Sequence, residues 1–168
     1  VAPVVRAEAG NAEAASELAA QIFAATEVQG GLIVHLGCGN GRLTAALCGG
    51  SGYVVHGLDR DPESIRNARD FLRDAGCYGQ VSVDAWAGNR LPYIDQSVNL
   101  LVSEKPLTVD LQEVLRALCP RGVAYIREGG TWQKIVRPVP EEIDEWTHYL
   151  HDPSNNAVAH DTVIDFPR

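Results

Sequence analysis

Methionine is absent from this 168-residue chain, position 1 included. A processed or trimmed N-terminus is expected on that ground. No signal-peptide pattern opens the sequence, although a segment already removed would leave none. No run approaches the ~18 apolar residues that a membrane helix needs. Lysine is scarce, with only Lys105 and Lys134, so there is no polybasic patch for a membrane surface. Positive charge is short overall: 14 basic against 22 acidic residues leaves 14 − 22 = −8. That balance excludes a general binder of nucleic-acid backbones. The four cysteines, Cys38, Cys48, Cys77 and Cys119, form no C-x-x-C pair. Their spacing excludes a zinc ribbon or a small disulfide framework, and buried free thiols are expected. Apolar residues make up 45% of the chain and charged residues 21%. This is the composition of a globular domain long enough to bury a core.

Val1 to Gly10 show no clear periodicity and read as an arm. Asn11 then reads as the N-cap of a helix whose inner face is Ala15, Leu18, Ala19, Ile22 and Phe23, ended by Gly30-Gly31. The apolar run 32–36 reads as a buried parallel strand, followed by a helix from Arg42 to Leu47. Residues 53–58 form a second strand. Asp61 caps a third helix with Pro62 at its first position, running to about Asp74. Strands follow at 81–83, 98–102 and 122–126, with a helix over 107–118 between the last two. Strands alternating with helices at this spacing predict an α/β fold with a doubly wound, mostly parallel, Rossmann-like sheet. About five strands are expected, because Gly129-Gly130 reads as a break. Residues 1–137 then form the main domain. Residues 138–168 are expected to be an acidic helix, over about 141–151, and a linker.

The most specific signal is the turn Gly37-Cys38-Gly39-Asn40-Gly41 at the end of the first sheet strand. Glycines there permit positive φ and let backbone N–H groups approach a ligand. The spacing is G-x-G-x-G; the dinucleotide fingerprint would need glycine where Arg42 stands, which disfavours a nicotinamide dehydrogenase. Asp59 ends the next strand, where an acidic residue faces the ligand crevice and accepts from ribose hydroxyls. Asp84 ends the third strand, where it is expected to accept from an adenine amino group, with Trp86 stacked near the base.

"VHLGCGNGRLTAAL", "HGLDRDPESIRNAR", "VSVDAW" and "LPYIDQSVNLLVSEKP", in that order, resemble the motifs of class I S-adenosylmethionine-dependent methyltransferases. The resemblance covers about Gly31 to Gly129. It implies that Gly37, Gly39 and Gly41 line the methionine moiety. It further implies that Asp59 holds the ribose, and that Asp84 with Ala85 or Trp86 holds the adenine. His35, Cys38 and Arg60 complete the expected cofactor set. Two positions depart from the pattern: His35 stands where the family usually has a carboxylate, and Asn99 where it often has an acidic residue. The family's sixth and seventh strands, a hairpin beside strand five, are not evident. Glu104, after strand four, is the candidate base or acceptor clamp; a solvated carboxylate beside Lys105 is its plainer reading.

His148, His151 and His160, with Asp144 and Glu145 nearby, are residue types that hold divalent metals. Capping at a helix end accounts for them as well, and no metal is assigned. The stretch 140–168 also resembles a junction in large secreted bacterial fusion proteins, in which a methyltransferase-like domain precedes a quinoprotein-type β-propeller. Two functions therefore stand side by side: a methyltransferase domain acting on an unknown, small-molecule acceptor, and a non-catalytic binding or docking module of a larger protein. The first implies a cytoplasmic setting, the second a periplasmic or exported one. A shortened sheet would also leave an edge that a second copy could cover.

Overall fold

A computed structural model describes residues 2–50 and 52–140, with side chains from Asn11 onward. The chain divides into two compact units, Val1–Arg137 and Pro138–Arg168. The helix expected over 141–151, and His148, His151 and His160 with it, lie outside the described residues. No helix among the described residues is long and apolar enough to cross a membrane.

The first unit runs α1 (Ala2–Thr26), β1 (Gly31–Leu36), α2 (Arg42–Ala46), β2 (Tyr53–Asp59), α3 (Pro62–Asp74) and β3 (Val81–Ala85). It continues through β4 (Val98–Ser103), α4 (Leu111–Ala117), β5 (Leu118–Glu128) and β6 (Thr131–Val136). The strands form one sheet in the order β3-β2-β1-β4-β5-β6. All neighbours are parallel except β5 and β6, which are antiparallel. The chain winds outward from β1 to β3, then returns to place β4 on the other side of β1. That reversal makes the C-terminal ends of β1 and β4 a topological switch point, where open α/β sheets form their ligand crevice.

Each face of the sheet carries its own core. Ile33, Val55, Leu100 and Val102 pack under α1, α2 and α3 through Ile22, Leu43, Leu47, Ala68 and Leu72. Val34, Leu36, Leu58 and Leu101 pack on the opposite side with Val114 and Leu118. The local signals read from sequence act as expected in α3: the Asp61 carboxylate accepts from the N–H groups of Glu63 and Ser64, and proline occupies the first turn.

Several expectations are corrected. The arm over 1–10 is instead the start of α1, which begins at Ala2. Pro3 falls in the first turn, where a missing N–H costs nothing; Asn11 is interior to the helix rather than its cap. The helix expected over 107–118 begins at Leu111, because Asp110 caps it and accepts from Gln112 N–H at 2.8 Å. The sheet has a sixth strand. Gly129 and Gly130, read as a break, have φ of 57° and 85° and make the two-residue turn of a β5–β6 hairpin. Such a turn needs positive φ at both central positions. Cys38 is buried as expected, but Cys48, Cys77 and Cys119 are only half-buried; all four are free thiols.

Candidate functional site

The site is built where β1 and β2 end. Gly37, Gly39 and Gly41 all take positive φ, at 73°, 52° and 77°. Their roles differ. A Cβ at Gly37 or Gly39 would meet nothing within 4 Å, so these two keep space open above the turn. A Cβ at Gly41 would stand 2.9 Å from Ala68 Cβ, so Gly41 lets α2 pass close to α3. Gly37 N–H donates to Leu58 C=O at 2.7 Å, which ties the turn to the end of β2.

Asp59 organises the rest. Its Oδ2 accepts from Gly39 N–H at 2.8 Å. Its Oδ1 accepts from the N–H groups of Arg60 at 2.7 Å and Asp61 at 3.0 Å. Three backbone donors thus fix one carboxylate at the mouth of the turn. Beside it lies a cavity of about 220 Å³, bordered by Leu36, Gly37, Leu58, Asp59, Arg60 and Trp86, with Ser103, Lys105, Pro106 and Thr108 from the end of β4 and the loop after it. The Arg60 guanidinium lies over the Trp86 ring, 5.4 Å from its centroid, and reaches the Thr108 hydroxyl at 3.4 Å. Burial, and the Asp59 charge beside it, push the Cys38 thiol up to about 12, so it stays protonated at neutral pH.

Not every expected residue comes to this cavity. The pairing of β2 with β3 sets Ala85 opposite Asp59 and Asp84 opposite Leu58. Side chains alternate along a strand, so Asp84 leaves the sheet on the other face from Asp59. Its carboxylate is held by Arg69 at 2.7 Å and His56 at 3.0 Å, away from the cavity lining. The Tyr93 hydroxyl donates to His56 Nδ1 at 2.8 Å, so His56 presents Nε2–H to Asp84. Trp86, by contrast, borders the cavity. Asn99 stands at the far end of the sheet, where its Oδ1 accepts from Leu32 N–H at 2.9 Å. It fastens the starts of β1 and β4 and has no place in the site.

His35 and Glu104 do not border this cavity. His35 is fully buried, its Nδ1 2.9 Å from the Thr44 hydroxyl and its Nε2 3.9 Å from Glu104 Oε2. Burial lowers its pKa to about 4, against the opposing pull of Asp59, so the ring is neutral above pH 5. Glu104 borders a second cavity of about 300 Å³, with Asn11, Asn40, Arg42 and Leu43.

Sequence reasoning gave no site role to Lys105 or Thr108, and it gave Asp84 to the adenine without the Arg69, His56 and Tyr93 contacts. It also missed Arg116, which bonds Glu113, Asp95 and the Tyr93 carbonyl and so fixes the 91–95 segment. Apart from Arg116 and Glu113, three positions apart on α4, the bonded partners lie 15 to 48 positions apart, where periodicity carries no signal.

A doubly wound α/β protein with a crevice at its switch point, bordered by a glycine turn and a pinned carboxylate, is the class that this geometry defines. The comparisons give the family. The methyltransferase domain family matches residues 33–130. The chain is 28% identical over 140 residues to methyltransferase GfsG from Streptomyces halstedii, a match covering 77% of this chain and 50% of that protein. Among solved structures, a candidate sarcosine dimethylglycine methyltransferase from Galdieria sulphuraria is 26% identical with a TM-score of 0.59. That match covers 66% of this chain and 45% of the other. A candidate S-adenosyl-L-methionine-dependent methyltransferase from Methanococcus maripaludis has a TM-score of 0.62 at 24% identity, over 69% of this chain and 56% of that one, and shows the shared fold. The chain belongs to the methyltransferase domain family. It spans about half the length of the curated relative it matches.

Proposed function

We propose that this chain binds S-adenosylmethionine at the glycine turn and serves methyl transfer to a small-molecule acceptor. The observation that carries this reading is Asp59, pinned by Gly39, Arg60 and Asp61 N–H beside the open cavity. Each carboxylate oxygen has two acceptor sites, so Oδ2, which takes one N–H, keeps one for a ribose hydroxyl. Trp86, Leu36 and Leu58 supply the apolar wall for a base. Gly37 and Gly39 leave room for a chain that passes over the turn. When bound, the cofactor supplies a methyl carbon on a sulfonium, open to in-line displacement. What the protein contributes is orientation and the exclusion of water. Lys105 and Thr108, on the loop after β4, border the same cavity and are the groups we assign to orienting the acceptor.

The test is equilibrium dialysis with labelled S-adenosylmethionine. Saturable binding at one site, displaced by S-adenosylhomocysteine and not by NAD, is expected. A folded chain that binds neither S-adenosyl ligand overturns the reading. A second reading, binding without transfer, is favoured by one observation. Glu104, the expected base, does not border the cavity that holds Asp59. Turnover of any acceptor would remove it. The resemblance of 140–168 to a junction before a β-propeller supports placing the domain in a fusion protein; the parent reading frame decides that point.

A further inference from the structure

The loop from Trp86 to Leu91 joins the first cavity to α4 through one peptide group. Trp86 borders the cavity. Its backbone N–H donates to Asp59 C=O at 2.8 Å, which seats the residue at the end of β2. Its indole N–H donates to Arg90 C=O at 2.8 Å. Gly88 leaves room for that bond, because a Cβ there would stand 3.4 Å from the indole nitrogen. The other half of the same peptide group is Leu91 N–H, which donates to Glu113 Oε1 at 2.7 Å. A peptide group is planar, with its N–H and C=O pointing in opposite directions. Fixing Leu91 N–H on α4 therefore fixes the direction of the C=O that holds the indole. A charged acceptor on the N–H also strengthens that C=O as an acceptor, because linked hydrogen bonds polarise one another.

Glu113 is itself held. Arg116, one turn along α4, donates to it twice, from Nε to Oε2 at 2.9 Å and from Nη2 to Oε1 at 2.7 Å. Its Nη1 reaches Tyr93 C=O at 3.0 Å and Asp95 Oδ1 at 2.5 Å. One guanidinium thus sets both the carboxylate and the far end of the loop. Hydrogen bonding to Arg116 holds the Glu113 carboxyl down to about 2, so the pair stays charged through the neutral range. Neither residue borders the cavity. Their path to it runs through Trp86.

We propose that the Glu113–Arg116 pair sets the pose of the Trp86 ring, and thereby the affinity of the first cavity for a stacked base. Glu113 and Arg116 are positioning residues, and Trp86 is the binding residue through which they act. This inference rests on the function proposed above, in which Trp86 forms part of the wall for a base. Because Arg90 C=O engages the indole N–H, Trp86 offers that base its ring and no donor.

The test is a double-mutant cycle on S-adenosylhomocysteine affinity by calorimetry, with Trp86→Ala, Arg116→Lys and the two combined. Loss of the ring should weaken binding about 30-fold, the range of a base–aromatic stack. Arg116→Lys keeps a charge beside Glu113 but loses the two-pronged grip, and should weaken binding about fivefold. In the combined variant the loss should stay at about 30-fold, because no ring is left to position. A residue that only supports the fold would multiply the two losses, to about 150-fold. Glu113→Gln, combined with Trp86→Ala in the same way, should repeat the pattern and replaces Arg116→Lys if that variant does not fold. A readout without ligand accompanies the cycle. With Trp132→Phe and Trp146→Phe removing the other two tryptophans, acrylamide should quench Trp86 more strongly once Arg116→Lys is added. Multiplied losses, wild-type affinity in Arg116→Lys, or unchanged quenching overturn this inference and leave the proposed function standing. A folded wild type that binds no S-adenosylhomocysteine overturns the proposed function, and this inference with it.

Discussion

Asp59 and Asp84 end neighbouring parallel strands, and the chain reads almost alike around them. One faces a cavity with its oxygens fixed by three backbone N–H groups. The other is tied to Arg69 and His56 on the opposite face. The difference is a single residue of register, since Asp84 pairs with Leu58 and Ala85 with Asp59. In a sheet, one residue decides the face. Leu58, whose face Asp84 shares, also borders the cavity, so what separates the two carboxylates is the turn beside Asp59 and the side chains that hold Asp84. The β2 end has such a turn. The β3 end has instead a side-chain chain, from Tyr93 through His56 and Asp84 to Arg69, that braces the sheet edge.

The two ends should respond differently when disturbed. The largest effect is expected at the turn that serves Asp59. Gly41→Ala puts a Cβ 2.9 Å from Ala68 Cβ at a φ of 77°. Left-handed strain and overpacking together should cost about 3–4 kcal/mol in denaturant unfolding. Gly37→Ala, in open space, should cost about 1 kcal/mol and show its effect in ligand affinity.

Acidification comes next, and it acts on the face of Asp59. His35 has a folded pKa near 4, lowered from 6.5 by burial. The unfolded chain therefore binds more protons between those values, and stability falls as pH drops from 6.5 towards 4. The loss should approach about 3 kcal/mol at pH 4. His35→Leu should flatten that part of the profile, as followed by thermal unfolding across pH.

The β3 end should give smaller effects. Asp84→Asn weakens a partly exposed pair with Arg69 and should cost about 1 kcal/mol. Smallest is Tyr93→Phe, which removes one hydroxyl bond to His56, at about 0.5–1 kcal/mol in the same unfolding measurement.

What the sequence shows of this fold follows the same division. Features written in consecutive residues are legible. Asp61-Pro62 starts α3, and Gly37 to Gly41 mark the turn after β1. Features that depend on pairing are not. β6 escapes notice because Trp132 packs with one core and Ile135 with the other, so the strand has no clean apolar alternation. Trp132 is placed by stacking on Tyr125 at 4.7 Å, a contact that only the finished hairpin makes. In the candidate site, Asp59 is legible from its place after the second strand, whereas the face taken by Asp84 depends on a β2–β3 register that no local pattern records. Glu104 is legible as a polar residue at a strand end, but its division from Lys105 between two cavities is set by β4 packing beside β1.

The most direct test of the central claim titrates S-adenosylhomocysteine into Asp59→Ala and Asp84→Ala side by side by calorimetry. Loss of affinity of 100-fold or more in Asp59→Ala is expected, with a change below about fivefold in Asp84→Ala. Equal losses in both variants, or a loss confined to Asp84→Ala, would contradict the assignment of the crevice to the end of β2.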